Sequence, residues 1–537
     1  NNIVTMEYDS MNRMTKKVSA NNVITQYSYD ESGNLQTETD GNGNVTTYKY
    51  DKEGNCTEKI KTGSSEKYTY DKEGRLTSIT YSDNSMEKFE YDVHGNKTSY
   101  TDKKGNTMTY IYDKDDRMTK TVDANGISTE YEYDGVGNLT KKTLHRKKGN
   151  SKADEVTTYS YDGNNNIICK TDALGKKESY EYDLNGNLVT VKNNSGKVVT
   201  SYSYDAVNNC TKKTVDGKTT TYEYDSLNRL VSEKGDKTVT YTYDDVGNLL
   251  KETIGKKTTT YTYNNLNQQI TKKGSSVFSI KRSNKYSENG TAKRTVNPEK
   301  EIKTYEISSL MDGTVSEIKK GISEKTAYTY DGLGNRTKET ITTGLIKKKK
   351  KEKEYVWDYT EKYPVLLEEK ESDGTIVRYT YAGNRERAYA DVTKNSENAK
   401  AQAYSLYTDR LGSTRWALDE NAEVAAKTEY DAWGKPETET VSSKLNGINI
   451  SKSYTGYVYD ETTGYWNAGA RMYNSTDREF IQKDPKAGNV YETLTQNGYT
   501  YCGDNPLYYI DPDGCSYIST LGNAGRTAFN VVKSGAV

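Results

Sequence analysis

Histidine is almost missing from this chain: 537 residues contain two, His94 and His145. One sits in a repeated turn beside Gly95 and the other in a basic stretch between repeats, so a histidine-based triad or metal centre has no residues to build on. Cysteine is nearly as scarce. Cys56, Cys169, Cys210, Cys502 and Cys515 are odd in number and contain no CxxC pair, which indicates neither a disulfide framework nor a zinc site. Long apolar runs are absent, and no stretch approaches the ~20 residues of a membrane-spanning helix. Apolar residues make up 32% of the chain, Phe contributes only 4 of them, and the mean hydropathy is −1.00. A solid globular core of this size would need more Leu, Ile, Val and Phe. Neither sign of charge dominates, with 76 Lys+Arg against 77 Asp+Glu, so no global field favours nucleic acid or an anionic membrane. Helix signals are nearly absent before residue 515. The chain starts at Asn1 inside a repeat and stops at Val537, and it reads as a fragment of a longer protein, so the lack of a targeting segment says little.

What is abundant is tyrosine, with 50 residues, and it is periodic. Tyr27 to Leu35 reads Tyr-Ser-Tyr-Asp-Glu-Ser-Gly-Asn-Leu, and Tyr241 to Leu249 reads Tyr-Thr-Tyr-Asp-Asp-Val-Gly-Asn-Leu. The aspartates of the motif are Asp9, Asp30, Asp51, Asp71, Asp92, Asp113, Asp134, Asp162, Asp183, Asp205, Asp225 and Asp244, with Asn264 in the next slot. Most lie 19 to 22 residues apart; one interval is 28. A fixed period of this length means a repeat architecture, and its strictness argues against disorder.

The unit has a physical logic. Tyr at alternate positions puts both rings on one face of a strand, with Thr, Ser, Lys and Glu between them. Three residues after each Asp stands Gly, Asn or Asp and nothing else, the mark of a turn with a left-handed residue. Five after the Asp comes a mostly apolar slot, from Met14 and Leu35 to Leu230 and Leu249, with Lys97 and Gln269 as exceptions. Cys56 and Cys210 share that slot and read as small buried hydrophobes. A second turn falls half a period later, as at Gly41-Asn42-Gly43, Asn125-Gly126 and Asp216-Gly217. Two strands and two turns make each repeat a β-hairpin.

Residues 1–273 form the regular array. Leu144 to Glu155 fills the long interval and is expected to be an exposed loop. Residues 274–405 continue with degenerate repeats: Tyr305 and Ile307 still alternate, and Tyr328-Thr329-Tyr330-Asp331 is one more full motif. The five lysines Lys347 to Lys351 read as a solvated segment. From 406 to 514 the text changes to a series of short motifs: Asp409-Arg410-Leu411-Gly412, Tyr430-Asp431-Ala432-Trp433-Gly434, Ala470-Arg471-Met472-Tyr473, Asp477-Arg478-Glu479-Phe480 and Asp511-Pro512-Asp513-Gly514. After Cys515 the composition shifts again. Leu521, Ala524, Ala528 and Val532 recur at helical spacing, so 515–537 is read as the start of another domain.

The repeat resembles the YD repeat of Rhs proteins, and residues 406–514 resemble the Rhs repeat-associated core domain. Together these cover nearly the whole chain. The resemblance implies an all-β fold in which YD-repeat hairpins form one long spiralling sheet wound into a hollow shell. It implies a secreted or surface-located bacterial polymorphic toxin whose shell encapsulates a C-terminal effector as its own cargo, with an immunity protein and delivery components as further partners and no cofactor. In that family the core domain resembles an aspartyl autoprotease. The positions that match are Arg471, Asp484 in Asp484-Pro485, and Asp511, with the cut expected between Gly514 and Cys515. The chemistry is consistent: two close carboxylates share a proton, the ionised one activates water, and the protonated one polarises the scissile carbonyl. Two features depart from the pattern. The 27 residues from Asp484 to Asp511 are a longer interval than in those relatives, and Cys515 stands where many have Leu. Asp-Pro is also an ordinary turn opener. The competing reading is a surface adhesion or carbohydrate-binding module that uses exposed tyrosine faces.

Overall fold

The computed structural model describes residues 5–519 apart from 19–23, 40–42, 44, 62–63, 102–104, 106, 123–127, 149–150, 173–174, 276–281, 288–289, 298–302, 311–313, 331–334, 359–362, 382–386, 395–400, 422, 446 and 487–492. The helical spacing after Cys515 and the turn at Asn125-Gly126 therefore lie outside the described residues. Among the described residues there is no α-helix, only strands and three short 3-10 turns. No helix there is long and apolar enough to cross a membrane.

The chain divides into two compact units, one built on residues 1–132 with 143–147, the other on 133–142 with 148–529. In the first, the strands from Thr5–Tyr8 to Ser128–Tyr133 pair antiparallel, each with the next along the chain. In the second, the same meander runs from Ser151–Tyr161 through to Pro436–Val441. Pairing continues where the motif decays, with Gln269–Gly274 beside Arg282–Tyr286.

The expected turn is present at every slot of the regular array, from Asp9 to Asn264, while the turn that opens at Asp331 lies outside the described residues. The residue three after the Asp has positive φ throughout, from Asn12 at 60° and Asp116 at 59° to Gly54 at 87°, Gly137 at 95° and Gly247 at 87°. In the turn at Asp244, Oδ1 accepts the N–H groups of Val246 (3.1 Å) and Asn248 (2.8 Å), while Oδ2 accepts Asn248 Nδ2 (2.7 Å). The Gly247 N–H closes the turn on the Asp244 carbonyl at 3.2 Å. Where Arg replaces Asn four residues after the Asp, its Nε takes the same oxygen, as Arg229 does on Asp225 at 2.7 Å. The second tyrosine of most motifs reaches back one repeat. Tyr29 donates to the Met14 carbonyl (2.9 Å), Tyr70 to Cys56 (2.7 Å), Tyr224 to Cys210 (2.9 Å) and Tyr243 to Leu230 (2.9 Å). The acceptor is always the backbone of the apolar slot.

One expectation fails. Leu144 to Glu155 does not form an exposed loop; it belongs to two long strands, Leu139–Lys148 and Ser151–Tyr161. Thr143 and Leu144 are buried. Polarity concealed the strands, because strands of this sheet are polar in most positions.

In the second unit the chain after Pro436–Val441 folds into a block. It carries a small four-stranded sheet, Val458–Asp460, Tyr465–Asn467, Met472–Asn474 and Glu479–Phe480, and a two-stranded ribbon of Tyr509–Ile510 with Ile518–Ser519. Its aromatics, with Tyr473 stacked on Tyr501 at 4.0 Å between ring centroids, pack against the tyrosine face of the repeats. Leu230, Tyr241, Leu249 and Tyr261 share one buried cluster with Trp433, Tyr454, Trp466 and Phe480. The block also packs on Tyr305 to Tyr328 through Met472 and Ile481, and on Tyr355 to Leu406 through Leu445 and Ile450. Three buried ion pairs fix its seat: Arg336 with Asp460 at 2.9 Å, Lys272 with Asp477 at 3.2 Å, and Arg478 with Glu252. Arg336 occupies an apolar slot of the repeat and is fully buried.

Two substitutions separate the turn from the core. Gly137→Val meets no neighbouring atom, only the strain of its φ of +95°, and should cost on the order of 1–2 kcal/mol. Leu230→Ala empties a slot that is 0% exposed and should cost about 2–5 kcal/mol. Hydrogen exchange should show the first loss confined to the hairpin at Asp134, because repeat stability is a sum of neighbour terms, and the second spread into the block.

Candidate functional site

The residues that the motifs single out meet in the block. Arg471 immediately precedes the strand Met472–Asn474 and is 3% exposed. Its guanidinium lies over the Phe480 ring, 3.6 Å from the centroid. Nη2 lies 3.0 Å from Asp484 Oδ2 and 3.1 Å from Asp511 Oδ2, so one nitrogen holds both carboxylates. Nη1 donates to the Gly498 carbonyl at 3.0 Å. Nε donates to the Gly514 carbonyl, the oxygen of the bond expected to be cut.

The other side of that bond is fixed as well. Asp511 Oδ1 accepts the Cys515 and Ser516 N–H groups, each at 3.0 Å, and Asp513 Oδ1 accepts Cys515 N–H at 2.9 Å. Tyr457 donates its hydroxyl to the Asp511 carbonyl. Gly514 has φ +70°, and a Cβ there would stand 2.7 Å from the Ala468 carbonyl oxygen and 3.1 Å from the Arg471 nitrogen. Only glycine fits so close to the arginine's backbone. Asp484 is less enclosed, its side chain 19% exposed against 2% for Asp511. The N–H of Lys486 caps Asp484 at 2.8 Å, and Lys486 Nζ reaches Ser516 Oγ at 2.7 Å.

Burial raises both carboxyls, and the Arg471 charge opposes it. Asp511 is pushed up to about 6 and Asp484 is raised as well. The Cys515 thiol is pushed up to about 12 by burial, so it is a neutral thiol at physiological pH. No cluster of three or more His, Cys, Asp or Glu suited to a metal occurs among the described residues.

The structure thus brings Arg471, Asp484, Asp511, Gly514 and Cys515 together. The sequence reading assigned the carbonyl contact to a protonated aspartate; in the structure Arg471 makes it. The Gly498 carbonyl, Tyr457, Phe480 and Lys486 were not assigned to the site, although Phe480 stands in one of the short motifs and Asn497-Gly498 is a turn dipeptide.

A repeated Asp turn, a tyrosine reaching back to the previous repeat and a docked terminal block define a class of repeat protein. Residues 29–67, 50–86, 70–107 and 112–145 match the RHS Repeat family. The chain belongs to the Teneurin YD-shell family, whose model matches residues 143–276 and 211–507. Over 220 residues, 41% of this chain, it is 30% identical to the tRNA3(Ser)-specific nuclease WapA of Bacillus spizizenii. Over 218 residues, 38% of this chain, it is 27% identical to the double-stranded DNA deaminase toxin A of Burkholderia cenocepacia. The chain spans 9% of the length of the first and 14% of the second. The crystal structure of TcdB2-TccC3 is similar at 15% identity and a TM-score of 0.47, over 95% of this chain and 34% of that one.

Arg471→Met tests the electrostatics of the site. It leaves two buried carboxylates without their cation, which should destabilise the block by about 3–5 kcal/mol at pH 8. The sign with pH follows. Without the guanidinium both carboxyls are raised further, bind protons in the folded state and become neutral as pH falls. The deficit should therefore shrink between pH 8 and pH 5, measured as the difference in denaturant midpoint between variant and wild type.

Proposed function

We propose that this chain is the carrier part of a bacterial toxin, in which the repeat sheet, which runs on to Val441, encloses a C-terminal effector. The block that follows, the later part of the 406–514 motif region, cuts the chain after Gly514 to free that cargo, which begins in the segment 515–537. The observation that supports it is the Arg471 guanidinium, which touches two raised carboxyls and the carbonyl of the bond on which the block ends. The toxins among the sequence relatives agree with such a role. Secretion or surface location, an immunity protein and delivery components belong to the same reading.

The proposed reaction is peptide hydrolysis. Asp484, ionised and nearer solvent, accepts a proton from a water whose oxygen attacks the Gly514 carbonyl carbon. The charge that develops on the carbonyl oxygen falls on Arg471 Nε. Asp511, protonated and already beside the Cys515 nitrogen, passes its proton to that nitrogen as the C–N bond breaks. The products are a Gly514 carboxylate and a Cys515 amine.

The adhesion or carbohydrate-binding reading is less well supported. It needs exposed tyrosine rings, and Tyr202, Tyr222, Tyr241 and Tyr261 are 3–7% exposed beneath the block.

A chain extended past Val537 should split between Gly514 and Cys515, and Asp484→Asn and Asp511→Asn should each leave it whole with an unchanged circular dichroism spectrum. The cut must not fall at Asp484-Pro485 or Asp511-Pro512, where acid alone breaks the chain. Because Asp511 acts protonated and its carboxyl is pushed up to about 6, the rate should fall roughly tenfold per unit above that pH. It should fall again in acid, as Asp484 takes up a proton. A rate that climbs steadily to pH 9 would falsify this assignment of roles.

A further inference from the structure

The residues that hold the site are themselves held by the repeats. Gly498 is the hinge of this connection. Its carbonyl accepts Arg471 Nη1 at 3.0 Å and the Asp484 N–H at 2.8 Å, so it sets the position of both the cation and one carboxylate. Its two neighbours are fastened elsewhere. Asn497 Nδ2 donates to Asn248 Oδ1 at 2.9 Å. The Tyr499 hydroxyl accepts Gln268 Nε2 at 3.0 Å and donates to the Gly290 carbonyl at 2.7 Å. All four side chains are buried: Asn497 5%, Tyr499 3%, Asn248 4% and Gln268 6% exposed.

Asn248 and Gln268 are equivalent positions in successive repeats. Each stands four residues after the motif Asp or Asn and closes its turn, Asn248 on Asp244 and Gln268 on Asn264. The same position two repeats before Asn248 is Asn209, whose Oδ1 accepts Asn505 Nδ2 at 2.8 Å. Between them stands Arg229, whose charge acts on the buried Asp504. The segment 497–505 therefore runs along four consecutive turns, hydrogen-bonds the turn-closing residue of three, and holds Asp504 within the field of the fourth, Arg229.

We propose that the repeats switch on the cleavage site: Asn248, Gln268 and the Gly290 carbonyl are positioning groups that place Gly498, and through it Arg471 and Asp484, only once the sheet has folded around the block. This rests on the cleavage reading above and adds a condition to it. The turn residues do not touch the reacting atoms. They hold a carbonyl that holds the guanidinium, and a displacement of about 1 Å at such a centre is worth about a hundredfold in rate. Cleavage would then follow completion of this part of the sheet, so that cargo is not cut from an unfinished carrier.

The test uses the full chain extended past Val537. Tyr499→Phe removes both of its bonds to the repeats and keeps the ring, and Asn497→Ala removes the third. The double variant should cleave at least about tenfold more slowly at pH 6. Its melting temperature should stay close to that of the parent. The high-pH limb of its rate profile should move upward, because a less firmly held Arg471 depresses Asp511 less. A merely structural role would lower stability and leave the profile in place. Wild-type rate and profile in the double variant, with the parent cleaving normally, would overturn the inference and leave the cleavage reading standing. A slower rate with an unmoved profile and a lower melting temperature would also overturn it. A parent chain that stays whole at every pH removes both.

Discussion

The carboxylate of the motif aspartate is the constraint on which the rest of this structure depends. It gathers two backbone N–H groups and one side-chain donor, and so closes a tight turn with no hydrophobic support. That turn fixes where the strand ends, and hence where the preceding tyrosine points. The tyrosine hydroxyl then finds the carbonyl of the previous apolar slot, one repeat back. Each such bond contributes only about 1 kcal/mol, but the same bond recurs along the sheet and sets the spacing from repeat to repeat. A chain that is 32% apolar can hold a long sheet because polar bonds of fixed geometry, rather than a thick core, provide its order.

Apolar burial is concentrated where the block meets the sheet. There the tyrosine face is covered by Trp433, Tyr454, Trp466, Tyr473, Phe480 and Tyr501. Charge is buried in the same place. Arg478 pairs with Glu252 across the contact and lies 4.8 Å from the Tyr241 ring centroid. Burial pushes Glu233 up to about 7 and Asp431 up to about 6. Raised carboxyls contribute stability that is fully present below their unfolded pKa and is lost as pH rises through the folded value. The contact is therefore firmest in acid and weakens as pH rises from about 4 through about 6 to 7, a range in which Asp511 also gives up its proton.

The periodic part of this fold was legible because the turn admits so few residue types. Glycine, asparagine or aspartate three residues after Asp has one physical explanation, and every such residue has positive φ. The role of the next residue was legible too but went unread: it is Asn, Arg or Gln in every repeat of the array, where it closes the turn, and at Asn209, Asn248 and Gln268 it also hydrogen-bonds the block. Arg336 was harder to anticipate. It occupies an apolar slot, and nothing nearby in sequence reveals that its partner, Asp460, lies 124 residues on. The site shows the same division. Arg471, Asp484 and Asp511 were legible only through the resemblance to the Rhs core domain. Gly498 was not, because it contributes a backbone carbonyl, which every residue has.

The central claim is that the block ends the carrier by cutting the chain it has enclosed. Intact-mass analysis of the purified, extended protein under denaturing conditions, paired with native mass measurement of the same sample, tests it most directly. The account predicts two polypeptides, the second beginning at Cys515, that travel as one particle until the sheet is unfolded. A single uncut chain, or a fragment that begins at Cys515 and separates freely under native conditions, would contradict it.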